Sequence, residues 1–121
     1  MFGEWIKNRR LNKDLTLREF CGLIKEDPSN WSKIERNLLK APTQEETLKR
    51  IADALDIKFD SPEYEEMRDH ASISQGKLPD YILDDNELLE RMPAFLRTIG
   101  NIKPSPAELD QLIELIKNER I

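Results

Sequence analysis

The chain has 121 residues, of which 38% are hydrophobic and 36% charged, and its formal net charge is −5. That length carries one domain, or one domain with an appendage, and not a large core. Valine is absent and no apolar–polar alternation occurs, so the expected fold class is all-α.

The first helix is expected from Phe2 to Leu11, with Phe2, Trp5 and Ile6 inward and Lys7, Arg9 and Arg10 outward. Asn12 to Asp14 break it. The next stretch, Thr16 to Glu35, reads as two short helices joined by a tight turn. Thr16 is an N-cap, and Glu19 completes a capping box. Leu15 and Phe20 are placed to form a hydrophobic staple around that start. Phe20, Leu23 and Ile24 then give one apolar face. Asp27 and Pro28 start the following helix as cap and first residue. Its inward face carries Trp31 and Ile34, which leaves Ser29, Asn30, Ser32, Lys33 and Arg36 pointing out.

Asn37 to Pro42 read as a loop. Thr43 with Glu46 marks another capping box, and Leu48, Ile51, Ala52 and Leu55 form the stripe of the helix it opens. Ser61 and Pro62 start the next helix, weakly apolar through Tyr64, Met67, Arg68 and Ala71. A turn around Gly76 follows. Asp84 with Glu87 caps a strongly apolar run, Leu88 to Ile99, which Pro93 should kink or split and which Gly100 and Asn101 should end. Ser105, Pro106 and Glu108 open the final helix, striped by Leu109, Leu112, Ile113 and Ile116.

The segment LREFCGLIKEDPSNWSKIERN resembles the helix-turn-helix of the phage-repressor-like regulators, often called the Xre family. Phe20 and Cys21 stand where Leu-Ala is usual, and Ser32 to Asn37 close the motif. The resemblance covers residues 2–57. It departs from the pattern at three places. Lys25 replaces the turn glycine, so it must enter the left-handed region or the turn must differ. Glu26 replaces a buried valine, and Asn37 a closing glycine that asparagine can imitate.

What the resemblance implies is a compact helix-turn-helix DNA-binding bundle over residues 1–60. The apolar stripes that follow point to a helical C-terminal region, 61–121, whose part near residues 84–121 serves dimerisation or partner binding, the alternative being that it packs on the first and fourth helices of the same chain. The helix after the turn would enter the major groove of a double-stranded DNA operator. Ser29, Asn30 and Lys33 are the base-edge candidates, because their side chains can bond to groove edges. Thr16, Arg18, Arg36, Asn37 and Lys40 are the phosphate candidates, the first two at a helix N-terminus that favours anions. Arg36 has a rival role in pairing with Glu35 or Glu19 inside the fold. Arg9 and Arg10 are more peripheral, and better read as a solvated helix face.

Charge is divided to suit this reading. Residues 1–41 hold nine Lys and Arg against six Asp and Glu, or +3; residues 42–121 hold ten against eighteen, or −8. A mildly basic first part suits phosphate contact. The expected protein is a transcriptional regulator, a repressor acting as a homodimer. The alternatives are an antitoxin whose acidic half covers a toxin, or a helical protein-interaction module that no longer meets DNA.

Other chemistry finds little support in the sequence. Trp31 is expected in the core rather than on a stacking platform, and Cys21 as a small buried hydrophobe. His70 is the only histidine and makes a poor zinc site alone. No nucleophile–base constellation, phosphate loop or dinucleotide fingerprint occurs, so neither an enzyme nor a cofactor is expected. The lone cysteine fits a reducing cytoplasm. No run is apolar enough to span a bilayer, and Met1 leads straight into an amphipathic helix, so neither a membrane nor a secretory leader is expected.

Overall fold

The computed structural model describes residues 1–119. Their regular structure is eight helices and no strand: α1 (Phe2–Asn12), α2 (Leu17–Ile24), α3 (Pro28–Glu35), α4 (Glu45–Ala54), α5 (Pro62–Ser74), α6 (Asp80–Leu83), α7 (Asn86–Ile102) and α8 (Pro106–Glu119). None among the described residues is long and apolar enough to cross a membrane.

Local chemistry accounts for most of the helix starts. Thr16 Oγ1 accepts from the Glu19 N–H and the Glu19 carboxylate accepts from the Thr16 N–H, so the capping box is complete. Asp27, Ser61 and Asp85 each accept from the backbone N–H three residues on. Two expected starts are displaced. Gln44, not Thr43, is the cap residue of α4, and it makes no side-chain cap bond. The loop before it is held instead from the residue that follows α5, where the Gln75 amide donates to the carbonyls of Ala41 and Pro42. Asp85, not Asp84, caps α7; an additional turn, α6, ends at Leu83, and the Asp85 N–H closes back on the Ile82 carbonyl.

Pro93 neither splits nor ends α7. The carbonyl it leaves unbonded, that of Leu89, lies on an exposed part of the helix where water can satisfy it. Gly100 and Asn101 do not end α7 either. Lys103 does, with φ of 49° in the left-handed region and its N–H on the Ile99 carbonyl.

The chain divides into two units, Met1–Asp80 and a second that begins at Tyr81. In the first, α1 packs on α3 and α5, and α2 packs on α3 and α4. One core joins them, with Trp31, Tyr64, Phe2, Phe20, Ile6, Ile24, Ile51 and Met67 fully buried. Each such side chain stabilises the fold by about 1.5–3 kcal/mol relative to exposure. This unit runs well past the boundary expected at residue 60. Tyr64, Met67 and Ala71 form the buried stripe of α5 and belong to the same core as α1.

In the second unit, no residue whose side chain is described is buried. Leu88, Leu89, Phe95, Leu96, Leu109, Ile113 and Ile116 are all exposed.

Candidate nucleic-acid interface

The turn between α2 and α3 consists of Lys25, Glu26 and Asp27. Lys25 takes the left-handed conformation, φ 59° and ψ 45°, so lysine adopts the backbone that a glycine would adopt freely. The N–H groups of Lys25 and Glu26 both reach the Cys21 carbonyl. The turn is braced from α4. Arg50 Nε donates to the Ile24 carbonyl at 2.9 Å, and its Nη2 lies 3.8 Å from the Glu26 carboxylate. Glu26, standing where an apolar residue was expected to be buried, is therefore half-exposed and ion-paired.

The inner face of α3 is fixed by one polar cluster inside the apolar core. Arg10 Nε and Nη2 donate to the two Glu35 oxygens, each at 2.9 Å. Trp31 Nε1 donates to Glu35 Oε2 at 3.1 Å, and Arg10 Nη1 to the Leu15 carbonyl at 2.8 Å. Both charged side chains are buried. A planar guanidinium on a carboxylate fork is the strong, directional form of ion pair. It ties the last turn of α3 to α1 and, through the Leu15 carbonyl, to the segment just before the cap of α2. Around it, the Trp31 ring meets Phe2 edge-on at 6.5 Å and Phe20 at 5.7 Å. Gly3 completes the contact, since a Cβ there would lie 2.4 Å from the Ile34 carbonyl oxygen and 2.6 Å from that of Glu35.

Arg10 thus points inward, contrary to the expected solvated face. The signal was available: Phe2, Ile6 and Arg10 are four apart and lie on one stripe. Arg9 is not a free surface cation either. It donates to Glu63 at 2.8 Å and stacks on Trp5 at 3.5 Å, tying α1 to α5. Gly3 and Arg50 went unremarked as supporting residues, and neither carries a periodic signal of its own.

The outer face is what remains. All eight candidate residues, Thr16, Arg18, Ser29, Asn30, Lys33, Arg36, Asn37 and Lys40, are exposed. Ser29, Asn30 and Lys33 lie on one side of α3, opposite Trp31 and Glu35. The rival role for Arg36 is not realised, because Arg10 takes Glu35 and Thr16 takes Glu19. Arg36 Nε donates to the Ser32 carbonyl at 3.3 Å and forms no ion pair among the described residues. Asn37 closes α3 at φ 61°, as a substitute for glycine, and its Oδ1 lies against Gly3.

At the start of α2 the capping box engages the N–H groups of Thr16 and Glu19. Those of Leu17 and Arg18 remain directed out of the helix end. The bonds from Thr16 hold the Glu19 carboxyl below the usual carboxylate range, so it is ionised at neutral pH. Arg18 supplies the cation beside it.

Cys21 is buried, and burial, followed by the charge of Glu35, pushes its thiol up to about 11. His70 lies against Trp5 at 5.8 Å and 3.8 Å from Glu66. No cluster of His, Cys, Asp and Glu able to hold a metal ion occurs among the described residues. Comparison with models of known families, with curated proteins and with solved structures finds no match.

Proposed function

We propose that the chain is a sequence-specific double-stranded DNA-binding transcriptional regulator of the cytoplasm, a repressor that binds a two-fold operator as a homodimer. One observation carries the reading. The face of α3 bearing Trp31 and Glu35 is locked into the core, while the face bearing Ser29, Asn30 and Lys33 is left to solvent. A short helix held from behind and polar in front is what the major groove admits. The resemblance of residues 2–57 to the Xre family supports the same assignment. So does the release of Arg36 from any pairing role within the fold.

In this reading α3 lies in the groove, with Lys33 on guanine acceptors and Asn30 and Ser29 on neighbouring edges. Arg18, Arg36 and Lys40 neutralise phosphates, and Thr16 and Asn37 add hydrogen bonds to the backbone. Six cationic phosphate contacts in a dimer give a slope of log affinity against log salt of about −5. Titrating a labelled duplex by anisotropy across about 50–200 mM salt tests this. Replacing Arg36 by Ala should reduce the slope by about 2 for the dimer. Binding that ignores salt, or no binding by the folded protein, would reject the reading in favour of a protein-interaction module.

A second reading, the antitoxin, is favoured by the uncovered apolar faces of α7 and α8 in the acidic half of the chain. It predicts co-purification with a small basic partner at fixed stoichiometry.

A further inference from the structure

We infer, resting on the DNA-binding function proposed above, that Arg50 positions the base-reading end of α3 and so governs sequence discrimination without touching DNA itself.

α3 is held unevenly along its length. Its last turn is tied to α1 by the fork of Arg10 on Glu35, and Trp31 fills the core at its middle. Its first turn carries Ser29 and Asn30. The hydrogen bonds made there, from the Asn30 and Trp31 N–H groups to Asp27, stay within α3 and its cap. The direction of that end therefore depends on the turn before it. That turn, Lys25, Glu26 and Asp27, has no apolar side chain to bury. Its first residue sits at a left-handed φ of 59°, which a side chain disfavours.

Arg50 supplies what the turn lacks. Its Nε donates at 2.9 Å to the carbonyl of Ile24, the last residue of α2. Its Nη2 donates to Thr47 Oγ1 at 3.3 Å and lies 3.8 Å from the Glu26 carboxylate. Thr47 is buried, so the guanidinium is anchored on α4 as well as on the turn. α2 has no basic residue in its last turn, and Arg50 brings the cation that a helix C-terminus favours. Among the described residues, the hydrogen bonds and ion pairs that join this end of α2 and the turn to a third element are those of Arg50.

The lever is long enough to matter. Along the axis of α3, Asn30 lies about 7.5 Å from Glu35 and Lys33 about 3 Å. A tilt of about 8° pivoting at Glu35 moves Asn30 by about 1 Å and Lys33 by less than half of that. A hydrogen bond of about 2.9 Å does not survive lengthening by about 1 Å. Loss of Arg50 should therefore blur the bases met by Ser29 and Asn30 and spare those met by Lys33.

The test measures, by anisotropy, binding of the full chain to the duplex that the native chain selects, to its single-base variants and to an unrelated duplex of the same length. Asn30→Ala and Lys33→Ala first mark which base pairs each side chain reads. Arg50→Met should bind the selected duplex at least about fivefold more weakly, with its lost discrimination confined to the base pairs marked by Asn30. Its affinity for the unrelated duplex should stay within about twofold of native, and its salt slope should not change, because no phosphate contact is removed. Arg50→Lys keeps a cation at the end of α2 but cannot hold Ile24 and Thr47 together, so it should show the same pattern at reduced size, and it serves as the readout if Arg50→Met does not fold. Native-like discrimination in both variants overturns the inference. So does a loss spread evenly over all base pairs, which marks a merely structural role. A weaker hold on the unrelated duplex, with a salt slope smaller by about 2 for the dimer, overturns it in favour of a direct phosphate contact. A native chain that selects no duplex refutes the DNA reading and this inference with it; a native chain that selects one, with Arg50 indifferent, refutes this inference alone.

Discussion

Replacing Arg10 by Met tests whether the buried fork on Glu35 is what holds α3. Methionine keeps the length and apolar stem of arginine, so the loss is mainly electrostatic. It strands the Glu35 carboxylate, only 5% exposed, with a single remaining donor, Trp31 Nε1 at 3.1 Å. Removing one member of a buried pair costs about 3–5 kcal/mol, because the other charge stays desolvated without its partner. The Leu15 carbonyl loses its donor as well. Against a total stability of about 5–15 kcal/mol, that is a large share. For a unit of this size it corresponds to a fall in Tm of at least about 12 °C, readable by circular dichroism or calorimetry. Adding Glu35→Gln removes the stranded charge and leaves an acceptor for Trp31, so the double variant should regain most of the loss. Melting of Arg10→Met within a few degrees of native, or a double variant no more stable than the single one, would show that the fork does not hold α3.

Gly3→Ala would drive a methyl into the carbonyls of Ile34 and Glu35, at 2.4 and 2.6 Å, and should cost about 1–3 kcal/mol in a denaturant titration. Lys25→Gly relieves a left-handed φ of 59° and should raise stability by about 0.5–1 kcal/mol in the same assay, net of the entropy glycine loses. With its thiol pushed up to about 11 from 9.0, folded Cys21 should hold about a hundredfold less thiolate at pH 8 than an ordinary cysteine, and should react correspondingly slowly with a thiol reagent. The linked stability follows from the sign of that shift. It is fully present below about 9, where folded and unfolded chains both hold the proton, and is lost as pH rises towards 11. Melting of the native chain against Cys21→Ala between pH 7 and 11 would show it.

The parts of the fold legible in the sequence are those set by neighbouring residues. Thr16 with Glu19, Asp27 with Pro28, and Ser61 with Pro62 mark helix starts because a cap needs only the next few residues. Thr43 has the same local credentials and still does not cap; the two residues before it, Ala41 and Pro42, are bonded instead to Ser74, the last residue of α5, and to Gln75 just beyond it. The stripe of α5 was visible in Tyr64, Met67 and Ala71, but its destination in the core beside α1 was not, since periodicity names a face and not its partner. The same limit hid Arg10: judged by charge it belongs outside, and only Glu35 explains why it turns in. For the candidate interface, the outward set on α3 was legible because Trp31 fixes the opposite side. The availability of Arg36 was not, as it depends on which arginine reaches Glu35 first.

Whether α3 reads DNA is the deciding question. Selection of bound duplexes from a random-sequence pool, at two salt concentrations, measures this most directly. The expected result is an enriched two-fold symmetric site with half-sites about one helical turn apart, enrichment that persists at the higher salt, and its loss in Asn30→Ala with Lys33→Ala. A folded, dimeric protein that enriches no sequence, or a double variant that selects the same site with unchanged affinity, would contradict it.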